Sequence, residues 1–497
     1  MRKTIIGLLG FSGVGILAAS CADWSNDLCA GGLCDGLTAS ADAGDDTGLQ
    51  PPDGCDPTAE PKNAPLCVVS NYGVFVNSVS GNDSNSGTQK NAFRTIKAAI
   101  AGVGKYTRIY VCKGNYNESI QLTSAISIYG GFDCGNWAWS ADNKTVVSPS
   151  AQGYALSLLT IGDSMVISDM EFDAQPGSAA GDSSIAIFVA SSSNNVTLRR
   201  VTAKADIGKT GADGKTAQAG VADQSLFGNP GTVDKGGAVK TCTCSTGGQS
   251  IGGKGGDVSG ANVDGENGSP IQEGAVATAG AGQSQTDCKN GANPAQRGAN
   301  APVADSAIAP NSPGTLSISG WAATEPSDGE NGAPGQAGGG GGSYPGQGGG
   351  GSGACGGCGG EGGGGGYPGG ISVAVATVDS AVKLDMCSLF AATAGDGGLG
   401  KPGAGGTSGP NSGGNGWQGA NNVGCAGGGG GTGGTGGAGA GGAGGISACV
   451  LYTGAKPTGT ETCTKPDNAA NGGTGGADGL DGPAGTVGDI VQAPAAQ

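Results

Sequence analysis

The chain has 497 residues, of which 109 are glycine and only 4 % are aromatic. So much glycine with so few bulky partners cannot fill several conventional cores, which leaves one ordered scaffold carrying loosely packed, glycine-rich additions. The net charge is −16 and histidine is absent. Nucleic acid and anionic membrane surfaces are therefore disfavoured as partners, and Ser-His-Asp, Cys-His and histidine-ligated metal chemistry is excluded.

Residues 1–20 read as an export signal: Arg2 and Lys3, an apolar run from Ile5 to Ala19, then small residues before Cys21. The run is too short for a comfortable membrane span. Ala18-Ala19-Ser20-Cys21 resembles a bacterial lipobox, with alanine at position 18 where leucine is preferred. The expectation is lipidation at Cys21 and attachment to the bacterial envelope, at the outer membrane or cell surface. The alternative is ordinary cleavage, with Cys21 in a disulfide. Residues 21–71 are poor in large apolar side chains and are expected to be a flexible tether.

Export places the sixteen cysteines in an oxidising compartment, where disulfides are the default. Local bridges Cys55–Cys67, Cys112–Cys134 and Cys449–Cys463 fit the spacing, although sequence leaves the pairing open. Cys355-Gly-Gly-Cys358 has redox or metal-motif spacing. It lacks a βαβ context and a second CxxC, so a structural disulfide within the glycine-rich part is the expected role and no metal site is implied.

Ordered structure is expected from residue 72. Val74-Phe75-Val76 forms a strand, a polar turn runs from Gly81 to Gly87, and Phe93, Ile96, Ile100 and Val103 fall at helical spacing. Asn91 is the expected cap of that short helix. Short strands follow at 109–111, 120–122 and 126–128, separated by turn residues with no intervening helices, which excludes a doubly wound sheet.

This order carries a resemblance. A strand, Gly-Asn-Asp-Ser-Asn-Ser-Gly-Thr (81–88), Phe-Arg-Thr-Ile-Lys-Ala-Ala-Ile (93–100) and Arg-Ile-Tyr-Val-Cys-Lys-Gly-Asn-Tyr (108–116) resemble the N-terminal cap and first coils of pectin-lyase-like right-handed β-helix proteins. Ile128-Tyr129-Gly130-Gly131-Phe132, with Trp137 nearby, is similar to a stretch found in glycine-rich extracellular members. The resemblance covers residues 72–204. It implies an all-β, right-handed parallel β-helix with a short N-terminal capping helix, and it says little about function.

Internal repeats point the same way. Residues 165–172 can be laid on 196–203 and on 382–389, while 185–189 match 371–375 at the same offset of 186. Residues 446–450 look like a further copy. The coil at 371–393 should therefore stack on the N-terminal coils of 72–204, with a final coil at 446–469. Glycine-rich insertions at 205–370 and 394–445 and a tail at 470–497 would be excursions. Several parts place glycine at every third residue: 208, 211 and 214; 397 to 409; 427 to 445; 473 to 488. That period matches a three-residue helical turn. It predicts polyglycine-II-like rods packed side by side, against the alternative of disordered loops; residues 221–330 break the period and read mostly as loop.

Asp169, Glu171 and Asp173 alternate on one strand, so with Met170 and Phe172 inward all three carboxylates point outward. The repeat alignment places Arg200 beside Asp169, Thr202 beside Glu171 and Lys204 beside Asp173. Such a cluster is what polysaccharide lyases and hydrolases of this fold use to bind calcium or transfer protons. It equally fits a ladder of opposite charges between coils. Asp83, Asn85 and Gly87 suggest a calcium loop only in part and read better as a polar turn. Trp137 and Trp139 are expected to pack near the first coils, with sugar stacking as the alternative.

The expected function is a non-enzymatic surface lipoprotein with a structural, adhesive or polysaccharide-binding role. The alternative is a lyase or glycoside hydrolase acting on acidic polysaccharide through Asp169, Glu171, Asp173, Arg200 and Lys204. Expected partners are polysaccharide or envelope components and, through the lipid, a membrane. No cofactor is implied beyond a possible calcium ion.

Overall fold

A computed structural model describes residues 50–193, 196–346, 348–419 and 423–494. The export signal and Cys21 lie outside the described residues.

The fold is an all-β parallel β-helix with a small helix near its start. Three faces run along it. The first stacks Val74–Val76, Arg108–Cys112, Ser127–Phe132, Met165–Ser168, Val196–Arg199 and the start of Val382–Phe390. The second stacks Gly114–Tyr116, Thr145–Val147, Glu171–Asp173, Thr202–Lys204 and the end of Val382–Phe390. The third stacks Ile120–Leu122, Leu156–Leu159, Ser184–Ala190, Ser372–Val378, Ile446–Thr453 and Thr486–Gln492. All these pairings are parallel. Alternate side chains therefore point inward at every level, and residues such as Ile128, Ile167, Leu198 and Leu384 form one continuous buried column.

The helix Ile96–Ala101 packs Ile96 and Ala99 into the first coils. Its cap is Thr95, whose Oγ1 accepts from the Ala98 amide, rather than Asn91. Glu118 caps it as well, accepting from the Ile96 and Lys97 amides. Asp83 accepts from the Arg94 and Thr95 amides, so the 81–87 stretch is a polar turn that orders the helix entry.

The coil expected at 371–393 stacks on the one at 184–204. Val196 lies opposite Val382, as the repeat offset requires, but Ile185 lies opposite Val373 rather than Ile371. The corner from Ala190 to Val196 is two residues longer than that from Val378 to Val382. A two-residue slip absorbs the difference without turning any side chain to the other face. The tail expected at 470–497 is also shorter than its glycine period suggests, because Thr486–Gln492 forms a last strand on the third face.

Every glycine-rich excursion leaves after the second face and returns at the third, from one corner of the β-helix. There the chain forms rods joined by backbone hydrogen bonds with a period of three. From Gly427 to Gly445 every third amide donates to residues 414 back to 395, at 2.9–3.0 Å. From Gly428 to Ala440 every third amide donates to residues 339 back to 327, at 2.8–3.1 Å. The same rod accepts from residues 351 to 369 at 2.8–3.0 Å. One rod is thus bonded to three neighbours, and buried backbone groups that would be costly unpaired are satisfied without a hydrophobic core. Glycine is required by the spacing: a methyl built on Gly357 would lie 1.7 Å from the Thr407 carbonyl oxygen.

Residues 221–330 are more ordered than their broken glycine period implies. They contain the hairpins Lys240–Thr243/Gln249–Gly252 and Gly314–Ser317/Gly320–Ala323, and the helix Gln285–Asn290. A further rod donates from Gly298, Ala301, Ala304 and Ala307 to Gly429, Thr432, Thr435 and Ala438. Here alanine carries the period in place of glycine.

Cys55–Cys67, Cys112–Cys134 and Cys449–Cys463 are bridged as expected. Cys355 and Cys358 do bond within the glycine-rich insertion, but to Cys242 and Cys244 respectively. Cys288 joins Cys425 across two excursions, and Cys387 is free and buried, which pushes its thiol pKa up. Residues 50–71 are not a free tether. The Cys55–Cys67 loop is tied to the first face, where Arg108 donates to the Pro57 carbonyl at 2.7 Å and Tyr110 to that of Cys67 at 2.7 Å.

Candidate functional site

The five candidate residues form two groups: Asp169 and Arg200 at the corner between the first and second faces, and Glu171, Asp173 and Lys204 along the second face. Asp169 and Arg200 occupy equivalent corner positions in adjacent coils, both with left-handed backbone (φ 57° and 50°), and Met386 continues the column at 53°. A single left-handed residue bends each coil from one face to the next. It also turns Asp169 and Arg200 out at the same edge.

Arg200 grips Asp169 in bidentate fashion, Nε to Oδ1 at 2.7 Å and Nη2 to Oδ2 at 2.8 Å. Its Nη2 also donates to Glu60 Oε2 at 2.6 Å. Arg199 continues the network, to Glu60 Oε1 at 3.1 Å and to Asp385 Oδ2, its neighbour one coil on, at 2.7 Å. Burial works against the Glu60 carboxylate, but the Arg200 bond and charge outweigh it and hold Glu60 below the usual glutamate range. Lys204 pairs with Glu171 and lies 3.7 Å from Asp173. Burial, reinforced by Glu171, raises the Asp173 pKa.

The register follows the repeat alignment: Glu171 lies opposite Thr202 and Asp173 opposite Lys204. Lys204, however, reaches diagonally and bonds Glu171 more closely than Asp173. Glu60 is the member that sequence reading misses, because it sits in the segment taken for a tether. The signal was present, since the Cys55–Cys67 pair encloses it. Arg199 and Asp385 are missed as well.

A cleft of about 150 Å³ opens beside this network, lined by Trp139, Lys144, Asp169, Glu171, Arg200 and Thr202 among others. Trp137 is buried and packs edge-on against Phe75 with ring centres 4.6 Å apart. Trp139 is half-buried, with the Lys62 ammonium 5.4 Å from its ring centre. Among the described residues, no group of three or more Cys, Asp or Glu is placed to hold a metal ion, and no helix is long and apolar enough to cross a membrane.

The fold thus defines the class, a parallel β-helix protein with glycine-rich excursions. Residues 79–134 match the family described as "Protein of unknown function (DUF1565)", which is associated with parallel β-helix proteins. The match spans the polar turn, the capping helix and the first coil. No curated protein sequence matches the chain. A solved structure that resembles part of it is the GH136 lacto-N-biosidase from Eubacterium ramulus, as its selenomethionine derivative, at 10 % identity and a TM-score of 0.20. That likeness covers 26 % of each chain.

Proposed function

We propose that this is a non-enzymatic surface lipoprotein of the bacterial envelope, with a structural, adhesive or polysaccharide-binding role. The observation that carries the reading is the slab of rods. Three excursions leave one corner and are bonded to each other over their length, which extends the β-helix into a stiff plate. Stiffness and area are what a presenting or binding protein needs. The candidate acids support the same side: Asp169 is engaged by Arg200, and Glu171 and Asp173 share Lys204. A general acid or base needs a lone pair or proton aimed at substrate, and an ion pair across coils works against that. Lipidation at Cys21, export and a pectin-lyase-like ancestry belong to the same proposal.

The test is a screen of the purified protein against acidic and neutral polysaccharides, with calcium and with chelator. It reads binding together with release of reducing or unsaturated ends. Binding without release is the expected result. Release that vanishes in Asp169→Ala or Asp173→Ala would make the protein an enzyme.

A further inference from the structure

Residues 471–476 form a rod that lies in a channel between two others. Its Asn471 and Thr474 carbonyls accept from the Gly397 and Gly400 amides, and its Gly473 and Gly476 amides donate to the Gly442 and Gly439 carbonyls, at 2.8–2.9 Å. The chain then reverses, with Gly479 donating to the Gly476 carbonyl at 2.7 Å. The channel continues. Further along its two walls, the Gly403 and Gly406 amides and the Gly436 and Gly433 carbonyls repeat the pattern, and among the described residues none of these four groups has a hydrogen-bond partner. We propose that this open half is a docking groove for one extended strand of a partner protein with glycine at every third residue. The inference goes beyond the polysaccharide-binding reading and does not depend on it.

Continuity with the filled half carries the assignment. A methyl built on Gly397, Gly400, Gly403 or Gly406 would meet the carbonyl oxygen of Gly442, Gly439, Gly436 or Gly433 at 1.9, 2.4, 2.0 and 2.1 Å respectively, so the walls keep one spacing through both halves. Gly403 and Gly406 are only partly buried, which leaves the donor wall open to the surface. The acceptor wall is reachable too, because Arg297 Nε bonds its next carbonyl, that of Gly430, at 2.9 Å. That side chain closes the far end, where the Gly409 amide turns aside to the Gly431 carbonyl. The open length takes about six residues, or about 19 Å at about 3.1 Å each. Donors and acceptors that recur every third residue match the backbone of a three-residue helical turn, and main-chain bonding of this kind is how an open edge takes up a guest strand. The filled half also sets the sequence of the guest. A methyl on Gly473 would lie 1.8 Å from the Gly398 oxygen, and one on Gly476 2.3 Å from the Lys401 oxygen. The corresponding wall atoms of the open half are the Ala404 and Thr407 carbonyls, so those guest positions must be glycine. Gly472 is crowded only by the returning strand, 1.9 Å from the Gly482 oxygen. That strand, bonded to Gly441 and Gly444 through Leu480 and Pro483, runs beside the filled half alone. The guest position before each obligatory glycine therefore accepts a side chain.

The full-length protein, isotopically labelled at glycine, would be titrated with synthetic peptides and followed by NMR at the Gly403 and Gly406 amides. The first peptide repeats Asn-Gly-Gly-Thr-Gly-Gly, the sequence of residues 471–476. The second carries alanine at every obligatory glycine, and the third carries it at the glycine before each. The first and third should shift both amides and slow their exchange roughly tenfold at saturation, and the second should do neither. A companion protein carries the same hexad duplicated after Gly476 with a flexible return linker, which makes docking intramolecular and raises its effective concentration. Its Gly403 and Gly406 amides should be protected to a similar degree, while the Gly436 amide, already bonded to Ala404, stays unchanged and reports an intact slab. Unprotected Gly403 and Gly406 in a companion protein with an intact slab would overturn the groove. A titration of the unmodified protein in which no peptide acts would overturn the partner, whether or not the companion folds. Equal action of the second peptide would overturn the need for glycine at every third residue, and with it the kind of partner.

Discussion

Replacing Gly357 by alanine tests whether the rods are held by close backbone contact. The added methyl would sit 1.7 Å from the Thr407 carbonyl oxygen and 2.5 Å from its carbon. Normal van der Waals contact begins near 3.2 Å, so the rods must separate locally by roughly 1.5 Å. Thr407 donates to Cys358 at 2.8 Å and Ala404 to Glu361 at 2.9 Å. Opened by that much, both pass out of hydrogen-bond range. Two lost bonds between buried backbone groups cost about 2–6 kcal/mol. Gly405 lies in the same rod and is the control, because a methyl built there meets nothing within 4 Å. Gly405→Ala should be neutral or stabilising by up to about 1 kcal/mol, through the restricted unfolded chain. Urea unfolding of both variants, with hydrogen exchange to localise the change, reads the difference. Equal effects from the two substitutions would refute the reasoning.

Three other outcomes follow from the structure. Cys242–Cys355 and Cys244–Cys358 close nearly the same loop, with sequence separations of 113 and 114; replacing one pair by serine should cost under about 1 kcal/mol in urea unfolding, and replacing both about 4–5 kcal/mol. Arg200→Met leaves the half-buried Asp169 and Glu60 without their shared cation, so stability should fall by about 1–3 kcal/mol, less at high salt, and limited proteolysis should cut sooner within residues 50–71. Because the folded Glu60 pKa is depressed, its stabilisation is complete above the ordinary value of about 4.3 and is lost as pH falls through the folded value; that acid loss should shrink in Arg200→Met. Asp173 has the opposite sign: its raised pKa makes the ionised form a cost, so Asp173→Asn should stabilise at neutral pH, with a gain that disappears below about pH 3.9 in pH-dependent urea titrations.

Much of the scaffold is legible because a coil repeats its apolar pattern. Met165, Val196 and Val382 start equivalent strands and are stacked in register. The slip at Ile185 is not legible, since a corner can lengthen by two residues without changing which side chains face inward. The rods announce themselves where glycine repeats every third residue. They are hidden at Ala301, Ala304 and Ala307, where the requirement is only for a small side chain. Composition also misplaces the end of the tether: residues 50–71 are polar on average, yet Cys67 and Val68 are buried and Glu60 completes the arginine network. Of the candidate site, the outward acids and their basic neighbours follow from strand period and repeat offset. The place of Glu60 between the two arginines does not, because which carboxylate a loop brings to a distant strand is a property of three-dimensional packing.

The central claim is that the glycine-rich excursions form an ordered, hydrogen-bonded slab on the β-helix. Amide hydrogen exchange over residues 397–409 and 427–445 tests it most directly. Slow exchange, comparable to that of Ser372–Val378 on the third face, is the predicted result. Exchange as fast as that of an unstructured glycine-rich peptide would contradict it.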